Sequence, residues 1–148
     1  GGEPLLHPEF AEIYTHAFKK GLILTVFTNG RIVSDEHIEL FQKYPPFALE
    51  ITLYGASEDM YQKVTGTKGS FQIVRDNIRK IKAANLNLKL KSVAFHPLAE
   101  DMLAMKKYAE EEVGVMFRFD TKIDPGIYGD NFDHIRMAPE ETIALEER

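Results

Sequence analysis

The sequence contains no cysteine, which excludes disulfide bonds, zinc ribbons and any iron–sulfur cluster held by thiolates of this chain. It also lacks an apolar run near the roughly 20 residues that cross a bilayer, and it has no signal peptide or lipidation motif. The net charge of -5 argues against binding to a nucleic-acid backbone, which requires clustered lysine and arginine. We therefore expect a cytoplasmic protein with no nucleic-acid or membrane partner.

The residues that are present suit one globular domain. Of the 148 residues, 44% are apolar and 28% are charged, which is ordinary for a chain of this length. The sequence opens on Gly1-Gly2-Glu3-Pro4, inside a glycine-rich turn, and it ends on Glu140–Arg148, which has the character of a helix start. These two ends predict a processed or truncated piece of a longer protein.

Helix-period and strand-period segments alternate along the chain. His7 and Pro8 open a helix with one apolar stripe, and Ser34, Ser57 and Ser70 are placed to cap three further helices. Strands that alternate with helices predict right-handed βαβ units and a parallel sheet, the α/β class. The predicted strands are 22–27, 49–54, 86–95 and 115–119.

Three of the four predicted strands have one apolar and one polar face, since side chains alternate across a strand. Buried parallel strands are usually apolar on both faces. The apolar faces must pack against helices, so the polar faces line a wet or occupied space, because unpaired buried charges are costly. We infer a wide or incomplete barrel with a polar ligand inside. There are two alternatives: the polar face is exposed to solvent in an open sheet, or the strand with two lysines lies at the edge of the sheet. The polar faces carry Glu50, Thr52, Tyr54, Lys89, Lys91, Arg118 and Asp120.

Several short glycine-containing motifs lie at the predicted strand ends and helix starts. Gly1-Gly2-Glu3-Pro4 precedes a helix, Thr28-Asn29-Gly30 follows a strand, and Ile51-Thr52-Leu53-Tyr54-Gly55 ends another. Val64-Thr65-Gly66 and Gly69-Ser70-Phe71 lead into a long helix. Each motif alone is typical of a plain turn. In this order and spacing they resemble the radical S-adenosylmethionine (SAM) superfamily, especially its peptide- and protein-modifying branch, which often carries a C-terminal SPASM domain.

The resemblance covers essentially the whole chain. Residues 1–10, GGEPLLHPEF, are similar to the family's second-strand motif and the helix after it, and residues 117–136 are similar to its sixth strand and exit loop. The family fold is a partial (βα)6 barrel of the TIM type, open on one side, which agrees with the polar interior inferred above. The resemblance implies a truncated barrel core over residues 1–125, without the first strand and the cluster loop. Residues 126–148 would then form an irregular exit loop and the start of a C-terminal helix.

The resemblance also implies a chemistry that this chain cannot complete. In the family, three cysteines in the pattern CxxxCxxC hold a 4Fe-4S cluster, and one iron chelates the methionyl end of SAM. An electron from the cluster cleaves SAM to a 5′-deoxyadenosyl radical, which modifies a peptide, a protein or a small molecule. The cysteines are absent here. We therefore expect SAM and the cluster in the intact parent, and a fragment that is inactive alone and binds SAM weakly or not at all.

The cofactor-binding residues that the resemblance implies lie at strand ends. Gly1, Gly2 and Glu3, followed by Pro4, would meet the methionine ammonium, since glycine lets backbone carbonyls approach closely and a carboxylate offers a charge-assisted hydrogen bond. Thr52 stands where the family often has a serine or threonine near the SAM carboxylate or ribose. No catalytic residue or metal ligand is assigned, because the histidines show no metal-ligand spacing. The other candidates are Asn29 and Tyr54 near the same space, and Lys63 and Arg118 as cations for the SAM carboxylate or the substrate, with a surface lysine and a structural Arg–Asp pair as alternatives.

A second hypothesis belongs to a different class of protein. In it, the chain is a cluster-free α/β module that binds a partner or self-associates without catalysis. If the first strands of the barrel are absent, segment 22–27 is an unprotected edge of the sheet, and exposed edges recruit other strands. We therefore predict that the chain forms a homodimer or swaps elements through this edge.

Overall fold

The computed structural model of the chain describes residues 2–123 and 132–147. The predicted role of Gly1, the predicted boundary between residues 125 and 126, and most of the predicted exit loop lie outside these ranges. None of the helices in the described ranges is long and apolar enough to cross a membrane. The elements are a 3-10 helix Pro4–Leu6, α1 Phe10–Lys19, β1 Thr25–Thr28, α2 Asp35–Lys43, β2 Ala48–Thr52, α3 Glu58–Thr65, α4 Ser70–Ala83, β3 Leu88–Val93, α5 His96–Ala99, α6 Met102–Lys107 with a π-helix Tyr108–Val113, β4 Phe117–Asp120, a 3-10 helix Asp133–Ile135 and α7 Pro139–Glu146.

The described strands form a parallel sheet in the order β1-β2-β3-β4. The predicted α/β class and the alternation of strands with helices are confirmed. Strands β1, β3 and β4 begin two or three residues later than predicted, whereas β2 begins one residue earlier, at Ala48, and ends at Thr52. β1 begins at Thr25, because Leu22 and Ile23 are exposed in the connection that precedes it. Each strand pairs with its neighbour in sequence, so every connection crosses from one strand to the next through helix.

The helices cover one face of the sheet. Ile51 and Leu90 point to this side and are fully buried, and Val74, Ile78 and Ile81 of α4 are buried in the same core. The apolar stripe predicted for α4 is therefore confirmed. Burial of side chains of this size contributes about 1.5–3 kcal/mol each, and this contribution holds the sheet against its helical layer.

Helix α1 begins at Phe10, two residues after Pro8, and two of the three predicted serine caps are present. The Ser34 and Ser57 hydroxyls accept hydrogen bonds from the backbones of α2 and α3, as N-caps do. Ser70 is not a cap, because Gly69 takes the capping position with φ +78° and Ser70 is the first helical residue. The Ser70 hydroxyl donates instead to the Thr67 carbonyl. The free N–H groups at the start of α4 are met by Glu58, whose carboxylate accepts from Gly69 N and, at 3.1 Å, from Phe71 N.

The other face of the sheet carries the polar side chains. Register places Phe27, Glu50 and Lys89 in one row across three strands, and Thr52, Lys91 and Arg118 in the next. Because β3 lies inside the sheet, the interpretation of its two lysines as edge-strand residues is wrong. We call this face the lumen face.

Candidate functional site

The Glu3 carboxylate fastens the amino-terminal turn to the end of β1. Its Oε1 accepts hydrogen bonds from the Thr28 hydroxyl at 2.7 Å and from Leu5 N at 3.2 Å, and its Oε2 accepts from Asn29 N at 2.7 Å. All three donors are neutral, and no ion pair involves Glu3 within the described ranges. The carboxylate is thus fixed in position, and no counterion is paired with its negative charge among the described residues.

A cleft of about 390 Å³ opens in front of this carboxylate. Five of the residues predicted to bind the cofactor meet there, although they come from three separate parts of the sequence. They meet because carboxyl ends of parallel strands lie at one edge of the sheet. The lining residues are Gly2, Glu3, Phe27, Thr28, Asn29, Thr52 and Tyr54.

Two lining residues, Phe27 and Thr28, were missed in the sequence. Thr28 belongs to the same Thr-Asn-Gly motif as Asn29, so its place in that motif was the available signal. Thr28 is buried, and its hydroxyl oxygen also accepts from Gly30 N at 3.1 Å. Phe27 is 48% exposed on the lumen face. No alternation of polar residues marks β1, so nothing in its sequence singled Phe27 out.

Tyr54 joins this cleft to a second cavity of about 380 Å³. Burial raises the pKa of the Tyr54 hydroxyl, and the negative charge of Glu3 raises it further. The hydroxyl therefore keeps its proton and stays a hydrogen-bond donor well above neutral pH. The second cavity reaches the segment between α3 and α4 and is lined by Asn29, Arg31, Tyr54, Tyr61, Val64, Thr65, Thr67 and Ser70.

The remaining predicted residues lie away from the cleft lining. Lys63 is exposed on α3 and lines neither cavity. Pro4 begins the first 3-10 helix and lines a separate apolar groove along β1. Arg118 Nη2 lies 2.7 Å from Glu50 Oε2, so the structural ion pair considered for this arginine exists, with a glutamate in place of an aspartate.

Lys91, a cation of the lumen face that was not among the predicted cofactor-binding residues, lies beside the cleft. The Lys91 ammonium lies 4.0 Å from the centroid of the Phe27 ring, at cation–π distance. Burial lowers the pKa of Lys91, and the positive charge of Arg118 lowers it further, while Glu50 and Asp120 act in the opposite direction.

These residues fit an ammonium ligand and do not fit a metal cluster. A fixed carboxylate without a counterion is a suitable acceptor for an ammonium. The chain has no thiolate, and within residues 2–123 and 132–147 no group of three or more histidine, aspartate or glutamate side chains is placed to hold a metal ion.

The sequence pattern of the Radical SAM superfamily matches residues 1–109. This chain belongs to that superfamily. The AdoMet-dependent heme synthase of Methanosarcina barkeri is 24% identical over 143 residues, which cover 97% of this chain and 41% of the relative. The subtilosin biosynthesis protein AlbA of Bacillus subtilis is 33% identical over 72 residues, which cover 48% of this chain and 16% of the relative. The radical SAM chain thus spans well under half the length of these curated relatives.

The fold agrees with this assignment. SuiB of Streptococcus suis, solved with bound S-adenosylmethionine, superposes with a TM-score of 0.78 at 13% identity over 99% of this chain and 34% of SuiB. SuiB has also been solved with a bound precursor peptide, SuiA. At this identity the likeness shows the fold alone, and it confirms the prediction of a partial TIM-like barrel. The radical SAM superfamily predicted from the motifs is confirmed as well, and its peptide-modifying branch is represented by AlbA.

Proposed function

We propose that the intact protein is a radical SAM enzyme that cleaves SAM reductively at a 4Fe-4S cluster and uses the 5′-deoxyadenosyl radical to modify a peptide, a protein or a small molecule. The observation that carries the proposal is the Glu3 carboxylate, which neutral donors hold at the strand ends and which has no ion-pair partner in the described part of the chain. Membership of the superfamily supports this enzyme hypothesis, and nothing found supports the alternative of a non-catalytic module.

Each residue of the cleft has a role in this proposal. Glu3 accepts hydrogen bonds from the methionine ammonium, and Gly2, at φ +135°, gives the turn a backbone conformation that other residues rarely adopt. The Thr52 and Tyr54 hydroxyls, which line the same cleft, donate to the carboxylate or ribose of the cofactor. Asn29 serves through its backbone N–H, which orients the Glu3 carboxylate.

The cluster has no ligands among these residues. Because the 148 residues include no cysteine, we propose that cysteines elsewhere in the parent protein hold the 4Fe-4S cluster. The 148-residue chain alone is then inactive and retains only the side chains that meet the methionyl ammonium.

A peptide is the substrate class that the relatives favour. AlbA takes part in the biosynthesis of a bacteriocin, and SuiB binds a precursor peptide. In the proposed enzyme, the substrate enters the lumen beside the cleft. A small molecule is the second candidate, since the heme synthase of Methanosarcina barkeri is also a relative.

The test replaces Glu3 by glutamine in the cluster-loaded parent enzyme. Losing a hydrogen bond to a charged group costs about 1.5–3 kcal/mol, so we expect SAM affinity to fall at least about tenfold, measured by equilibrium binding. Release of 5′-deoxyadenosine should fall in parallel. The control is Glu12→Gln on the exposed side of α1, which should change neither quantity. Unchanged SAM affinity in the Glu3→Gln variant would contradict the proposed role.

We further propose that the isolated chain self-associates through β1. This strand lies at the edge of the sheet, and an apolar groove of about 420 Å³ runs beside it, lined partly by Phe10, Ile13 and Val26. Unpaired N–H and C=O groups on a strand edge template pairing with another chain. Light scattering over a range of concentrations should show a dimer, and a monomer at every concentration would refute the idea.

A further inference from the structure

The Lys91 side chain leaves its own row of the lumen face and reaches toward the cleft. Its Cα is in register with Thr52 and Arg118, whereas its ammonium lies over Phe27, two strands away on β1. Phe27 is in register with Glu50, one row nearer the amino ends of the strands. Since neighbouring strands lie about 4.8 Å apart, the side chain must cross β2 to make this contact. The ammonium therefore lies on the lumen face beside the cleft, against a residue that lines it.

The cationic side chains of the lumen face differ in the groups that compensate their charge. Arg118 is paired with Glu50 at 2.7 Å. Lys89 lies 5.6 Å from the ring centroid of Phe47, a residue that does not line the cleft. Within the described part of the chain no carboxylate lies within ion-pair distance of Lys91; Glu50 and Asp120 act on its charge from farther away, and its nearest recorded contact is the Phe27 ring, 4.0 Å away. A ring quadrupole contributes about 0.5–2 kcal/mol, which is less than an anion provides in a partly buried site.

We propose that Lys91 binds an oxyanion of the substrate, a carboxylate or a phosphate, inside the barrel next to the cleft. This inference rests on the proposed function and names the substrate class for that site. The Phe27 ring holds the ammonium at the cleft, and Arg118, occupied by Glu50, is not the anion's partner. The Glu3 carboxylate at the cleft and the Lys91 ammonium beside it thus place two charges of opposite sign near Phe27.

The chain offers a matched control for Lys91. Lys89 is on the same strand and the same face, and its ammonium also lies over a phenylalanine ring. It differs in position, because its ring partner Phe47 precedes β2 at the amino end of the sheet. Lys89→Gln therefore removes the same charge and a longer cation–π contact, at 5.6 Å against 4.0 Å, without touching the proposed site.

The first experiment titrates the intact protein, free of SAM, with glutarate and separately with inorganic phosphate, followed by calorimetry. We expect Lys91→Gln to weaken binding of the anion about tenfold, since a charge-assisted hydrogen bond is lost. Lys91→Arg, which keeps the charge, should stay within about threefold, and Lys89→Gln within about twofold. Absence of binding to the wild-type protein, or equal weakening in both glutamine variants, would overturn the proposal.

A second measurement needs no variant. Addition of glutarate or phosphate to the wild-type protein should shift the 13Cε resonance of Lys91 and leave that of Lys89 in place. An unmoved Lys91 resonance at saturating anion would overturn the proposal even if the glutamine variant failed to fold.

A third arm separates this inference from the proposed function. In the cluster-loaded protein, SAM affinity should fall in the Glu3→Gln variant and hold in the Lys91→Gln variant. If Lys91→Gln weakens SAM binding and leaves anion binding intact, Lys91 serves the cofactor and the substrate assignment is wrong. If Glu3→Gln leaves SAM binding intact while Lys91→Gln weakens anion binding, the proposed cofactor role fails and the anion site stands.

Discussion

Two carboxylates, Glu3 and Glu50, lie near the lumen face and are held in opposite ways. Glu3 accepts hydrogen bonds from a hydroxyl and two backbone N–H groups, all of them neutral. Glu50, only 6% exposed, is paired with the guanidinium of Arg118 at 2.7 Å. Neutral donors fix a carboxylate without cancelling its charge, whereas a guanidinium both fixes and cancels it. Glu3 is therefore available to a cationic ligand, whereas Glu50 has a structural role.

Replacement of Arg118 is expected to have the largest effect on the difference between the two carboxylates. In the Arg118→Met variant the buried Glu50 charge loses its partner, and we expect the free energy of unfolding to fall by about 1–3 kcal/mol, reduced from the fully buried case because Arg118 is half exposed. Urea unfolding measures the effect. The control is Arg79→Met, which breaks an exposed pair with Asp76 and should cost under about 0.5 kcal/mol. Equal stability of the two variants would mean that Glu50 does not depend on its counterion.

A smaller effect is expected at the other carboxylate. Thr28→Val keeps the side-chain shape but removes the hydroxyl that donates to Glu3 and accepts from Gly30 N. We expect a loss of about 1 kcal/mol in the free energy of unfolding, the usual net value of a neutral hydrogen bond, together with weaker SAM binding in the cluster-loaded protein. Thr25→Val at the other end of β1 is the control. Unchanged stability and unchanged SAM binding in the Thr28→Val variant would show that Thr28 has no role in the site.

The smallest expected effect is on the pKa of the Tyr54 hydroxyl, which responds differently to the charges of Glu3 and Glu50. Burial, and then the charge of Glu3, raise the Tyr54 pKa above its ordinary value of 10.0. Glu3→Gln should lower the Tyr54 pKa partway toward that value, and Glu50→Gln should leave it unchanged, as measured by 13Cζ NMR titration of tyrosine. If Glu50→Gln moves the Tyr54 pKa as far as Glu3→Gln does, the two charges are not separated as described.

The same shift sets the sign of an alkaline effect on stability. Because the folded protein keeps the Tyr54 proton at pH values where the unfolded chain loses it, this residue makes stability fall as the pH rises above about 10. Below that pH the contribution is constant. Tyr54→Phe should flatten the pH profile of the free energy of unfolding in this window.

Local pattern was enough to predict the two faces of β3. Leu88 and Leu90 are buried, and Lys89 and Lys91 lie on the lumen face, as period-two alternation requires. The meeting of the Gly2-Glu3, Asn29 and Tyr54 motifs could also be predicted, because parallel strands end at one edge of the sheet. Both features follow from the alternation of residues within a strand and from the order of strands and helices along the chain.

The partners of charged side chains could not be predicted in the same way. Arg118 and Glu50 are 68 residues apart, and only the register of β2, β3 and β4 brings them together. The Lys91 contact with Phe27 depends on a side chain that crosses a whole strand. The wrong cap at Ser70 has the same cause, since the distant carboxylate of Glu58 supplies what a local serine would have supplied.

The strand order β1-β2-β3-β4 also bears on how the protein is made. Each of β2, β3 and β4 pairs with the strand synthesised just before it, so this sheet can grow by one βα unit at a time as the chain leaves the ribosome. The cleft around Glu3 is lined by residues from Gly2 to Tyr54, whereas Lys91 and Arg118 arrive later, with β3 and β4. During synthesis the half of the cavity that carries the free carboxylate therefore takes shape before the half that carries the cations.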